Sequence, residues 1–192
     1  MNYLEPTSAI IGAADDAAGM RRRMGAAALE MDAASGGSDQ AQRRAAVAAR
    51  LPSQHWPQRP VLIVAVDAHS GEPVVFDRHS GVDLVDAVAA STANGGYRRN
   101  ENADLAAGHA RVLVLSPFGG RTRHPLEWGM QLAVQVDELR AHGSRVETIF
   151  PDSSSRDLFD ANALDPATRL PAARAGYHQG KALAEQLTEV WR

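Results

Sequence analysis

The residues of this chain whose types and spacing could do chemistry gather in a few short stretches. Asn94-Gly95-Gly96 is the most turn-prone tripeptide, because Asn and Gly both tolerate left-handed backbone angles. An Asn followed by Gly is also a favourable site for deamidation to Asp or isoAsp. Ser91 lies three residues before Asn94, but no glycine elbow exposes it and no base adjoins it, so it reads as a helix C-terminal or packing residue. Gly119-Gly120-Arg121-Thr122-Arg123 could form an anion-binding nest, although a glycine pair after a strand is more often a sharp loop. Asp152-Ser153-Ser154-Ser155 reads as a loop with a helix cap, since a phosphate cradle there would lack glycines and a lysine. The seven histidines, at 55, 69, 79, 109, 124, 142 and 178, never pair at i, i+4, and His124-Pro125-Leu126-Glu127 has no second His, so no metal site is read. No serine has glycine two residues away on both sides: Ser38 and Ser144 each follow a glycine and are followed by Asp39-Gln40 and Arg145-Val146.

Composition narrows the chemistry further. The absence of cysteine removes disulfides, thiolate nucleophiles and Cys-ligated metals, so any nucleophile is an oxygen or an amine. A net charge of -3 gives no footprint for nucleic acid, and the one basic cluster, Arg21-Arg22-Arg23, stands near Asp15 and Asp16 as a solvated helix face. No apolar run is long enough to span a bilayer, and the opening MNYLEPTSAII lacks a basic residue before its apolar patch, so a cytoplasmic protein is expected. Its 192 residues suit one domain, with no internal repeat or low-complexity linker evident.

These stretches are positioned by a predictable series of elements. Residues 6–50 favour two helices, broken at Ser35-Gly36-Gly37-Ser38-Asp39, with Ser38 or Asp39 as the next cap. VLIVAV at 61–66 reads as a strand buried on both faces, AHSGEP at 68–73 as a turn and VVF at 74–76 as the returning strand of a hairpin. Ser80-Gly81-Val82-Asp83 fits a capping box for a helix over 82–93 with Val82, Val85, Ala89 and Thr92 on one face. RVLVLS at 111–116 is a further strand. Pro125 opens a helix to about His142 that shares Leu126, Met130 and Val134, and RVETIF at 145–150 is another strand. Asp165-Pro166 starts the last helical region, which ends on Leu183, Leu187, Val190 and Trp191. Alternating strands and helices predict an α/β fold with a mainly parallel sheet and flanking helices.

The block from Pro73 to Gly120, including ASTANGGYRRNENADLAAGHARVLVLSPFGG, together with GSRVETIFPDSSSRDLFDANALDPATRLPAARAGYHQGKALAEQL, resembles the C-terminal half of a bacterial patatin-like phospholipase. The resemblance covers roughly Ala41 to Arg192 and rests on the ordered series of short motifs. It implies an incomplete patatin-like α/β fold, with a helical segment at 1–50 and the C-terminal part of the α/β domain at 51–192, one domain overall. It also implies a lipid or other ester as substrate, no cofactor, and hydrolysis by a Ser-Asp dyad through an acyl-enzyme. In the family the Ser stands in a Gly-x-Ser-x-Gly elbow, the Asp in Asp-Gly-Gly, and a glycine-rich loop supplies the oxyanion hole.

The chain departs from that pattern at each catalytic element. The nucleophile elbow is absent, as are the oxyanion loop and the strand before it, and Asn94, with Gly95 and Gly96, stands where the family has the dyad Asp. An amide cannot accept a proton as a carboxylate does. A proline-containing segment expected between Ala93 and Asn94 is also missing, so helix meets turn abruptly. The Ala-rich helices at 1–50 resemble the family's region after the elbow, which implies a start at an internal methionine and a chain inactive by itself. The alternative is a non-catalytic α/β binding module derived from that fold, whose uncovered sheet edge favours self-association.

Overall fold

In the computed structural model, residues 4–93, 98–159 and 165–191 are described, and the chain divides into two compact units, Met1–Arg98 and Arg99–Arg192. The first unit opens with α1 (Leu4–Gly12), α2 (Ala17–Ser35) and α3 (Ser38–Ala48). Three helices replace the two expected, because Asp16 interrupts the run: its carboxylate accepts the Gly19 N–H at 2.6 Å and starts α2 afresh. At the other end Gly36 turns left-handed, and the Gly36 and Gly37 amides donate to Ala33 and Asp32 carbonyls. The break at 35–39 is therefore where the sequence puts it. The capping is not: Gly37 precedes α3 without any side-chain cap, and Ser38 Oγ donates to the Ser35 carbonyl instead.

The hairpin forms as expected, with β1 (Ile63–Val66) antiparallel to β2 (Pro73–Phe76) in the register Ile63↔Phe76 to Val66↔Pro73. Only Ala65 of β1 is buried, so it is not a strand covered on both faces. The joining turn is drawn together by Asp67, whose Oδ1 accepts the His69 N–H, the Ser70 N–H and the Ser70 hydroxyl. After β2 the same pentapeptide pattern returns: Asp77 Oδ1 accepts the His79 N–H and the Ser80 hydroxyl. Asp-x-His-Ser-Gly thus occurs twice, at 67–71 and 77–81, and each copy closes on a left-handed glycine, Gly71 or Gly81. This short repeat corrects the expectation of no internal repeat. It also overturns the capping-box reading, because Ser80 Oγ is committed to Asp77 while α4 (Leu84–Ser91) begins at Asp83 without a side-chain cap. Its buried residues are Leu84, Val85 and Ala87, so of the expected stripe Val85 is buried, Val82 and Ala89 are half-buried and Thr92 is exposed.

Two glycines let α2 approach the hairpin turn. A Cβ on Gly25 would stand 2.2 Å from the Ala68 carbonyl oxygen, and one on Gly71 2.7 Å from Arg22 Cγ. Arg21 consequently leaves the solvated face expected for its cluster: its Nε donates to the Gly71 carbonyl at 2.9 Å, and burial lowers its pKa.

The second unit is built on β3 (Arg111–Leu115) and β4 (Arg145–Ile149), paired in parallel from Arg111↔Arg145 to Leu115↔Ile149. A parallel pair needs a crossover, and α5 (Leu132–Ala141) provides it. Val112, Val114 and Val146 bury one face of the strands in a cluster with Leu132, Val136, Leu139 and Ala103. Pro125 does not open α5. It precedes a short 3-10 turn, Leu126–Trp128, which ends at left-handed Gly129, so Leu126 is exposed and the helix starts at Leu132. Buried Gln135 substitutes for an apolar residue: its side-chain N–H groups reach the Asn100 and Met130 carbonyls, and its oxygen lies 3.4 Å from the Asp104 amide. The last helix, α6 (Arg169–Trp191), follows a 3-10 turn whose cap is Asp165, accepting the Ala167 N–H as the Asp-Pro pair predicts. The mixed helix and strand content fits the α/β expectation, but among the described residues there are two separate two-stranded sheets, one antiparallel and one parallel.

Candidate functional site

Helix α4 delivers the chain to the expected dyad turn. Thr92 Oγ1 donates to the Val88 carbonyl, and the Thr92 and Ala93 amides bond back to Val88 and Ala90, so the helix closes on itself at 93. Ser91 is the exposed last residue of this helix, as the sequence indicates. Asn94, Gly95 and Gly96 lie outside the described residues.

From Arg99 onward the segment is fastened to the second unit. The Arg99 guanidinium grips both Glu138 carboxylate oxygens, at 2.6 and 3.1 Å, and donates to the Gly129 carbonyl at 2.7 Å. Asp104 lies 3.5 Å away. The bond from Arg99 holds the Glu138 pKa below the usual carboxylate value. Glu101 and Asn102 then adopt left-handed angles, φ 53 at each, a costly conformation for two successive residues with side chains.

That strained corner places Glu101 against the end of β3. Ser116, only 1% exposed, donates its hydroxyl proton to Glu101 Oε1 at 2.6 Å and accepts the Gly120 N–H at 2.9 Å. A serine bonded to a carboxylate is the geometry of a nucleophile and its base. Here the hydroxyl is sealed from solvent and its lone pair faces an N–H, so the pair acts as a clamp on the 116–120 loop. Glu101 Oε2 is buried with no hydrogen-bond partner among the described residues. The sequence hints at this pair only weakly, through Ser116-Pro117 at the strand's end and Glu101 between two asparagines.

Both loops that the sequence offers for anions follow the C-terminal ends of parallel strands, where α/β folds bind ligands. Each is closed by its own bonds. The Gly119 amide donates to the Ser116 carbonyl, Gly120 to Ser116 Oγ, and Arg121 to the Phe118 carbonyl, so the nest reading fails in favour of the sharp loop. Asp152 Oδ1 accepts the Ser154 hydroxyl and both the amide and hydroxyl of Ser155, bonds that close the loop ahead of the 3-10 turn Arg156–Phe159 without capping it, and these bonds lower its pKa. His124 is buried against Trp128, with ring centroids 6.1 Å apart, and desolvation depresses its pKa, with the Arg123 charge adding to the effect. No three His, Asp or Glu side chains gather to hold a metal among the described residues.

In the first unit a small apolar pocket of about 90 Å³ is lined by Met24, Gly25, Ala28, Val66, Ala68, Ala90 and Ala93. Ligand pockets are commonly about 300–1,000 Å³, so this one is too small for a substrate-sized molecule. No helix among the described residues is long and apolar enough to cross a membrane. No protein-family model matches the chain, and neither a curated protein nor a solved structure does.

Proposed function

We propose that the chain carries the part of a patatin-like acyl hydrolase around and after its dyad turn, and that it does not hydrolyse esters by itself. The observation that carries this reading is the ordered series in which α4 runs directly into Asn94-Gly95-Gly96 and is followed by β3, α5 and β4. The lack of activity follows from the chain's own chemistry. It has no Gly-x-Ser-x-Gly, Asn94 is an amide at the position of the base, and the buried Ser116 hydroxyl is occupied on both sides. Pure protein should give no saturable turnover of p-nitrophenyl butyrate and no labelling by a fluorophosphonate. Turnover abolished by that reagent, with the adduct mapped to a serine, would refute the inactive assignment.

A second reading, a non-catalytic α/β module, draws on the parallel pair itself. Parallel sheets are normally larger and covered on both faces, yet among the described residues β3 pairs only with β4, and Leu115 at its end is 67% exposed. An added strand would relieve that edge. Light scattering that shows a monomer without affinity for dyes of apolar surface would count against this module.

A further inference from the structure

Helix α6 has two faces of different character. Gln179 Nε2 donates to the Phe150 carbonyl just past β4, and Arg145 at the start of β4 reaches the Glu189 carbonyl, so the second half of α6 runs antiparallel beside that strand. Its inner stripe holds half-buried Ala172, Ala175, Gln179, Leu183 and Leu187 and ends on buried Val190. The residues before Gln179 continue roughly 15 Å past the strand end, at about 1.5 Å of rise each.

On the opposite side, Leu170, Arg174, Tyr177 and Lys181 recur at i, i+4, i+7 and i+11 and form one outward stripe. Leu170 is 59% exposed and Tyr177 66%, although the inner stripe already supplies the packing of the helix. Lys181 Nζ lies over the Tyr177 ring, 5.9 Å from its centroid, and His178 meets the same ring edge-on. Charge is segregated along the helix. Residues 166–184 contain Arg169, Arg174 and Lys181 and no acid, whereas 185–191 contain Glu185 and Glu189 and no cation.

We propose that this outward stripe docks the protein on an anionic lipid bilayer. The cations complement the headgroup charge, and Tyr177 between them and Leu170 one turn before Arg174 are the amphipathic ring and aliphatic group that settle at a bilayer interface. A net charge of -3 over the whole chain opposes general attraction to polyanions, so the local positive stripe needs its apolar members to hold a surface. The proposal is independent of the acyl-hydrolase reading, because it needs only α6.

Flotation with phosphatidylcholine vesicles containing about 30 mol% phosphatidylserine tests it, since each cation near such a surface adds a comparable increment of attraction. The protein should float with these vesicles, stay behind with pure phosphatidylcholine, and be released as salt rises from about 0.1 to about 1 M. Arg174→Gln with Lys181→Gln should weaken partitioning roughly thirty-fold. Leu170→Ser with Tyr177→Ser should weaken it while leaving the salt dependence in place. These side chains are solvent-facing, and unchanged circular dichroism of each variant checks that folding is preserved. As a positive signal, Tyr177→Trp should gain fluorescence quenched by nitroxide-labelled lipid. No flotation, flotation indifferent to the Gln pair, or equal binding to polyglutamate or duplex DNA that ignores the Ser pair would overturn the proposal. The esterase measurement is separate, so failure of one idea leaves the other readable.

Discussion

In the hairpin, the six residues 67–72 separate the strands and one carboxylate gathers them. Between the parallel strands, residues 116–144 intervene and a whole helix must pack before β3 and β4 can meet. The contrast is one of contact range. The hairpin register is written into Asp67 and its neighbours, whereas the parallel register exists only because Leu132, Val136 and Leu139 bury Val112, Val114 and Val146. Local order survives small damage, and order of the second kind depends on its core.

The sharpest way to break this contrast is Leu139→Ala. Leu139 is 2% exposed in the second unit's core, and the substitution should cost about 2–5 kcal/mol in denaturant unfolding of that unit. Amide exchange at Ala65 and Val74, a directly opposed and hydrogen-bonded pair of the hairpin, should stay unchanged. Equal loss of protection there would show that strand pairing in both units depends on one core.

Gly71→Ala attacks the hairpin from its turn. The new methyl would enter the space of Arg22 on a left-handed backbone, φ 74, and should cost the first unit about 1–3 kcal/mol. Exchange at Val112 and Glu147 is the internal control. An equally stable variant would mean that the approach of α2 does not constrain the turn.

A smaller effect should come from Glu138→Gln. The carboxylate is largely solvated, so screening limits the loss to below about 1 kcal/mol. Its sign with pH is definite. The folded pKa is depressed, so the contribution is present above the unfolded carboxylate value and is lost as pH falls through the lower folded value. The wild-type protein should therefore show a steeper acid-side decline than the Gln variant, measured as Tm against pH. Parallel profiles would remove the Arg99 grip from the account of the second unit.

The finest test compares the twin turns. Asp67→Asn weakens acceptance from the His69 and Ser70 amides and Asp77→Asn from the His79 amide, but only Asp67 lies between paired strands. Exchange should quicken at His69 and Ser70 in the first variant, with fraying of the backbone bond from residue 67 to the Glu72 carbonyl. In the second it should quicken at His79 alone. Identical fraying would mean that the turn chemistry is incidental to register.

Much of the secondary structure was legible because it is local. The Asp165-Pro166 cap, the 36–37 break, the hairpin and the two long apolar strands follow from residues within a few positions of one another. Two local signals mislead: Ser80 fits a helix cap yet bonds Asp77, and Pro125 fits a helix start yet leads into a 3-10 turn. Of the candidate site, Ser91 at the end of α4, the sharp Gly119-Gly120 loop and the loop at Asp152 were readable. The Ser116–Glu101 clamp was not, because the two residues are distant in sequence and nothing in either stretch names the other.

The sequence alone determined the chemistry on hand: no thiol, no glycine-flanked serine, an amide at Asn94, and a basic stretch from Arg169 to Lys181. These are properties of composition and order, and folding does not alter them. Only the tertiary structure decided that Ser116 is sealed, that the 119–121 amides are spent within their own loop, and that the Leu170 to Lys181 stripe faces away from β4. Each of these depends on which groups compete for the same proton or the same surface, and that competition exists only once distant segments are packed together.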